Sequence, residues 1–289
     1  MKIHTHPLVL VDNTHGLRFT ESPRWHRGRF WFLDIHAHAV RSVDLAGDLR
    51  TEVELPFRPN GLGIRRDGSL VTGDSMRFRV CRWKNGNVEI QADIADSVVF
   101  RLSDGMLDAQ ERFYIGDIGF NFLDPGQQPV DTCVIVCMTP DGTARVVAKG
   151  LRFPNGMAVT PDGRTLIVAE TRAARLSAFD VLPDGSLSNR RVFAPLPEGV
   201  RPDGIALDAE GCVWLANPAG GNDVMRVREG GEILESVQID THAYAVALGG
   251  PQRRHLLICA SDTHNSDETA TRPSATLRLL EVEVPGVGP

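Results

Sequence analysis

The stretch RFPNGMAVTPDGRTLIVAE at residues 152–170 returns as VRPDGIALDAEGCVWLAN at 200–217. Both run Pro, then Asn or Asp, then Gly, a short apolar segment, an Asp-containing turn, a second apolar segment and a closing acid or amide. FRPNGLGIRRDGSLVTGD (57–74) and FRLSDGMLDAQERFYIGD (100–117) keep that order, and weaker copies stand at ESPRWHRGRFWFLD (21–34) and AYAVALGGPQRRHLLICASD (243–262). The six copies close on Asp34, Asp74, Asp117, Glu170, Asn217 and Asp262, about 40 to 53 residues apart, and strand-like pairs such as RFRVCRW…NVEIQAD fill the intervals. A period of about 40–50 residues holding four strands is the mark of a β-propeller blade. Six units over 289 residues leave about 48 for each, which predicts an all-β, six-bladed propeller of antiparallel four-stranded blades occupying residues 1–289 as one domain.

Other features agree. Almost nowhere do apolar residues keep 3.6 spacing over the 10–12 residues a helix requires, while 28 Gly and 18 Pro supply turns. HPLVLVD (6–12) and TLRLLEVEV (276–284) are both strand-like, and one blade built from both termini would close the ring and remove its open edges. A β-sandwich also shows short, regularly spaced strands, but leaves the recurring Asn/Asp-Gly unexplained. With a net charge of -6 and no Lys/Arg block, nucleic-acid binding is disfavoured. The five scattered cysteines form no CxxC pair and read as buried apolar side chains of a reducing compartment. The N-terminal apolar run is too short for a signal peptide and no run is long enough to span a bilayer. The expectation is a cytoplasmic protein, a monomer or small homo-oligomer, without nucleic-acid or membrane partners.

In a propeller the starts of all innermost strands converge on one mouth of the central channel. The residues equivalent in the repeat therefore join a ring: Glu21, Asn60, Ser103 or Asp104, Asn155 and Asp203. Facing carboxylates cannot all stay ionised without protons or a cation between them, and a donor set of carboxylate and amide oxygens suits a hard ion such as Ca²⁺, Mg²⁺ or Mn²⁺. Asn/Asp-Gly is equally ordinary turn chemistry, so the ring alone leaves a metal site and plain turns both open.

The motifs ESPRW (21–25), PNGMA (154–158) and RPDGIALDAEGCVW (201–214), in that order and separation, resemble the signatures of the gluconolactonase family that includes senescence marker protein (regucalcin) and luciferin-regenerating enzyme; GRFWFLDIHAHAVRSVD and ALGG (247–250) extend the likeness along most of the chain. The resemblance implies a six-bladed propeller with one divalent metal at the channel mouth, Ca²⁺ before Zn²⁺, Mn²⁺ or Mg²⁺, and hydrolysis of a small lactone or ester. Carried over by position, it implies Glu21, Asn155 and Asp203 as metal ligands, with Asp203 also the base that activates water or a neighbour of it. The family's third-blade motif Arg-x-Asn-Asp-Gly reads RLSDG here, so Arg101 and Asp104 remain while Ser103 replaces Asn and the fourth ligand is left open. Arg101, Ser103 and Asp104 are expected as substrate contacts. Asp117 and Glu170, at the ends of second strands, are expected beside the pocket, with turn roles as the alternative.

Three further features are weighed. His36 and His38 would share a face if DIHAHAV were extended, yet without a third soft ligand they read as a polar loop or pocket lining. Tyr244 takes the ring position in the sixth copy. The polar segment 262–274 reads as a lid or a connection. GxSxG, GxGxxG, P-loop and HExxH motifs do not occur, which removes serine-hydrolase and nucleotide-dependent readings. A non-catalytic ligand- or protein-binding propeller, and a propeller hydrolase or lyase acting on other substrates such as phosphotriesters, stand as alternatives.

Overall fold

The computed structural model describes residues 1–288 other than 123, 125, 129, 220 and 222. The described residues form six sheets, five of four strands and one of five. In blade 1 the strands are Thr20–His26, Arg29–Asp34, Ala39–Val43 and Leu49–Glu54, side by side in chain order. Blades 2 to 6 begin with Pro59–Ile64, Leu102–Leu107, Pro154–Val159, Ile205–Leu207 and His242–Gly249. These six first strands touch one another in a closed circuit, so each is the innermost of its blade. The six repeats are the six blades, and the strand following each innermost one ends at, or one residue before, the repeated acid or amide.

Six apolar clusters hold the ring together, one in each gap between neighbouring blades. Phe30 and Phe32 of blade 1 pack on Leu257, Cys259 and Leu277 of blade 6; Ile167 and Leu176 of blade 4 pack on Val213 and Leu215 of blade 5. Burying each such side chain is worth about 1.5–3 kcal/mol. Because the apolar material sits between blades, the axis is free to carry polar residues.

Leu8–Val11 pairs antiparallel with Thr276–Glu281, Leu8 opposite Leu279, so the sixth blade is built from both ends of the chain. Lys2–Thr5 was not anticipated: it lies parallel to Ile233–Gln238 as a fifth strand on blade 5. Residues 2–11 thus stitch the outer edges of two blades, covering backbone groups that would otherwise form a free edge.

Helix is confined to short pieces. DIHAHAV is not extended: Ile35–Ala37 is a 3₁₀ turn followed by His38 in the left-handed region, φ 55°. His36 is therefore buried and His38 exposed, which separates the two rings. Ser266–Thr271, within 262–274, is an α-helix whose Asn265 side chain accepts from the amides of Asp267 and Glu268. Among the described residues no helix is long and apolar enough to cross a membrane. All five cysteines are free and buried.

Candidate active site

A cavity of about 340 Å³ opens at the channel mouth. Its lower wall is the ring read from the repeat: Glu21, Asn60, Ser103, Asn155, Asp203 and Tyr244 all line it, one from each blade. In five of the six blades the local device that aims them is a bulge. Register shifts fall between Glu21 and Arg24, Asn60 and Leu62, Leu102 and Gly105, Pro154 and Met157, and Ala243 and Ala245. An extra residue at these points bends the strand and re-aims a side chain that regular pairing would send elsewhere.

The recurring Gly is explained mainly by crowding. A Cβ on Gly156 would fall 2.5 Å from the Asp203 carbonyl oxygen and 2.7 Å from Gly204 Cα, so adjoining innermost strands meet backbone to backbone. At Gly61 a positive φ of 69° adds to a Cβ approach of 2.7 Å on the Gly105 nitrogen. Left-handed backbone also occurs at Ser22, φ 52°, directly after Glu21, a strained conformation of the kind that gathers at functional sites.

Glu21 and Asp203 are buried, and burial pushes both carboxyls well above the carboxylate range; Asp203 and Asp104 raise Glu21 further, and Asp104 raises Asp203. The Asn155 side chain hydrogen-bonds Asp203 and opposes that shift. Asn155 Nδ2 also donates to Thr171 Oγ1 at 3.2 Å, and that hydroxyl donates to the Pro202 carbonyl at 2.8 Å, fixing the amide between blades 4 and 5. Asp203 is held through its own backbone, its N–H donating to the Ala216 carbonyl at 2.9 Å. Among the described residues neither Glu21 nor Asp203 forms an ion pair with a basic side chain. Nor do three His, Cys, Asp or Glu side chains gather there around one point. The donor set is two carboxylates and an amide, and two unpaired buried carboxylates beside an amide oxygen fit a hard divalent cation.

Ser103 lines the cavity and Asp104 does not. Asp104 lies one layer below, its Oδ1 accepting from Ser22 Oγ at 2.7 Å and from the Gly105 amide at 2.8 Å. Asp117 and Glu170 also stand outside the cavity wall. Asp117 accepts from the Val99 and Val134 amides at 3.3 and 2.7 Å. Glu170 accepts from the Arg152 amide at 2.9 Å and from Arg175 and Arg190 at 3.0 and 2.8 Å. Asp34 accepts from Phe19 N–H and Asn217 from Arg201 N–H in the same way, at 3.1 and 2.9 Å. The closing acid or amide of these repeats accepts from backbone leading into its blade's innermost strand, the turn role weighed as the alternative for Asp117 and Glu170.

The sequence reading named only Arg101 of a second ring. Two residues before each ring position stand Phe19, Arg58, Arg101, Phe153, Arg201 and His242, and all six line the upper cavity. All but His242 precede the first residue of the innermost strand, and Arg101 and Phe153 have left-handed backbone, φ 33° and 57°. The Arg-Pro-Asn and Arg-Pro-Asp strings already carried the signal. Arg172, Phe122 and His264 complete the mouth. Arg101 lies over the Phe100 and Phe122 rings at 5.2 and 5.9 Å, and Arg172 over Phe120 at 5.6 Å.

The chain is 28% identical over 285 residues to a pentonolactonase of Haloferax volcanii, covering 93% of this chain and 92% of that one. It is 30% identical over 265 residues to a 6-deoxy-6-sulfogluconolactonase of Pseudomonas putida, covering 89% and 88%. A calcium-binding regucalcin of Agrobacterium tumefaciens superposes with a TM-score of 0.80 at 21% identity, over 99% of this chain and 97% of that one, and shares the fold. Residues 19–262, the span that carries every ring position, match the family described as SMP-30/Gluconolactonase/LRE-like region, and the chain belongs to that family.

Proposed function

We propose that the chain is a divalent-cation-dependent lactonase acting at the ring of Glu21, Asn155 and Asp203. The observation that carries this reading is that two buried carboxylates, distant in sequence and unpaired with any described basic side chain, meet beside an amide in one cavity. The two lactonase relatives support a lactone as substrate, and the calcium-binding neighbour supports an oxygen-ligated ion, Ca²⁺ first.

Glu21, Asn155 and Asp203 would hold the cation. When bound, it polarises the lactone carbonyl and lowers the energy of the negative charge growing on that oxygen. Asp203 takes a proton from water as the water oxygen adds to the carbonyl carbon, a base contribution of about 10²–10⁴ in rate. The same carboxyl returns a proton to the ring oxygen as the ring C–O bond breaks. One water is consumed and an open-chain hydroxy acid leaves. Ser103 offers a hydroxyl to water or substrate at the third-blade position. Arg101 orients substrate oxygens through its planar fork of donors.

The test is hydrolysis of a panel of aldonolactones and aliphatic lactones by the wild type, the chelated protein, Asp203→Ala and Asn155→Ala. Turnover that is lost on chelation, restored by Ca²⁺ or Mn²⁺, and abolished by Asp203→Ala is the expected result. Turnover indifferent to chelation, or unchanged in Asp203→Ala, overturns the reading.

A further inference from the structure

The upper ring is cationic and uncompensated. Arg58, Arg101, Arg172 and Arg201 all line the cavity, and among the described residues none of the four pairs with a carboxylate. In a chain of net charge -6, four such guanidiniums around one mouth are not a general surface property. The other cavity carboxylates do not neutralise them. Glu21 and Asp203 lie on the lower ring, where a divalent cation would balance both, and Asp262 is taken up by Thr241 at 3.0 Å and Arg272 at 3.2 Å.

The arginines are also held ready. Arg101 and Arg172 rest their faces on Phe100, Phe122 and Phe120, which leaves their edges for hydrogen bonds, and the Nε of each is buried without a partner. Arg58 donates to His36 Nε2 at 3.0 Å, and His36 is fixed in turn by Thr269. The like charges crowd one another: Arg101 adds to burial in pulling Arg58 down to about 10, and Arg201 adds to burial in lowering Arg172. Three half-buried guanidiniums and the exposed Arg201, none facing a carboxylate, are costly to gather around one mouth and fit a ligand that brings several acceptor oxygens and negative charge.

We propose that the upper ring is an oxyanion subsite, and that the substrate is a sugar lactone bearing a second, strongly acidic group (phosphate, sulfonate or carboxylate) remote from the carbonyl. Arg101 and Arg172 supply the forks, Arg58 and Arg201 the surrounding field, and the lower ring receives the lactone carbonyl. The lactone half of this statement rests on the function proposed above; the anion half does not.

Binding tests the anion half without turnover. Calorimetric titration of the full chain compares 1,5-anhydroglucitol, a ring that cannot be hydrolysed, with its 6-phosphate, 6-sulfonate and 6-carboxylate counterparts at low and high NaCl. At least one acidic probe is expected to bind about tenfold or more tighter than the neutral ring, with the advantage shrinking as salt rises, and the three acids distinguish which oxyanion is meant. In Arg101→Gln/Arg172→Gln the advantage drops below about threefold; Arg101→Lys and Arg172→Lys, which keep charge and packing but lose the fork, fall between, and melting curves establish that each variant is folded. Equal binding of neutral and acidic rings, or an advantage that survives the double substitution, overturns the subsite. Hydrolysis of neutral lactones alongside equal binding removes the subsite and leaves the lactonase; a binding advantage with no lactone hydrolysed removes the lactonase and leaves the subsite.

Discussion

Ser22 of blade 1 donates its hydroxyl to Asp104 of blade 3 at 2.7 Å, reaching past blade 2. Arg24 repeats the span, donating to the Gly105 carbonyl at 2.8 Å. The tie fixes the heights of two ring positions, Glu21 and Ser103, relative to each other. Asp104→Ala leaves the Ser22 hydroxyl and the Gly105 amide unpaired in a buried layer, a cost of about 1–3 kcal/mol each. A melting temperature lower by several degrees is expected. Asp104→Asn keeps an acceptor but removes a charge that bears on both Glu21 and Asp203. It should spare much of that stability and weaken divalent-ion affinity several-fold, read by titration of Ca²⁺ or Mn²⁺ against melting temperature.

Asp203→Asn separates stability from function by sign. In metal-free protein the buried Asp203 carboxyl is raised by burial and by Asp104, so its ionised form is a liability that the amide relieves. The metal-free variant should melt at or above the wild-type temperature. It should lose the upward shift that excess divalent ion gives the wild type through native-state binding, and lose lactone turnover by at least about 10²-fold. Parallel melting curves with and without added ion make the comparison; a variant that melts lower when metal-free and still responds to the ion contradicts the account.

The ring was legible because its geometry is written as equivalence: a polar residue before a recurring Gly in successive repeats, closing on an acid or amide. Convergence of Glu21, Asn155 and Asp203 follows once the repeats are counted as blades. The bulges were not legible, since register depends on partner strands that no local string displays. Asp117 and Glu170 stayed open between pocket and turn because a carboxylate near the axis has the same spelling whether it meets a ligand or a backbone amide; both accept from backbone amides. Arg58 and Arg201 were visible yet unread, sitting two residues upstream in the very strings used to define the ring. His36 and His38 fail as a pair because a 3₁₀ turn breaks the period of two on which their pairing relied.

Gly156→Ala tests whether the Gly is there for clearance. The added methyl would meet the Asp203 carbonyl oxygen at 2.5 Å and the Ile205 amide nitrogen at 2.6 Å, both backbone atoms that cannot swing aside. Overpacking of this kind costs about 1–3 kcal/mol, and relief requires blades 4 and 5 to move apart at the site itself. Turnover should fall far more than the stability loss explains, by about 10²-fold, because a displacement near 1 Å at a reacting group is enough for that. Activity measured well below the variant's melting temperature reads the two effects separately.

His36 should set part of the acid limb of stability. Arg58 donates to its Nε2 at 3.0 Å, so Nδ1 carries the proton and meets Thr269 Oγ1 at 2.7 Å, and that hydroxyl continues to the Ser266 carbonyl at 3.2 Å. Burial first, then Arg58, His264, Arg101 and His38, pull its pKa down to about 3. The folded protein therefore binds this proton more weakly than the unfolded chain, whose histidine titrates near the ordinary value of about 6.5. Between about pH 6.5 and 3 the unfolded state holds more protons, so stability declines as pH falls, by up to about 1.4 kcal/mol per pH unit from this residue. Above about pH 6.5 the residue is neutral in both states and contributes no slope. His36→Gln keeps an acceptor for Arg58 and a donor for Thr269 but cannot titrate. Its melting temperature should fall less steeply than the wild type's from pH 6.5 to 4, by about 2 °C per pH unit, and the two profiles should run parallel from pH 7 to 8. Profiles that stay parallel down to pH 4 would show that His36 takes up its proton equally readily in the folded and unfolded chain.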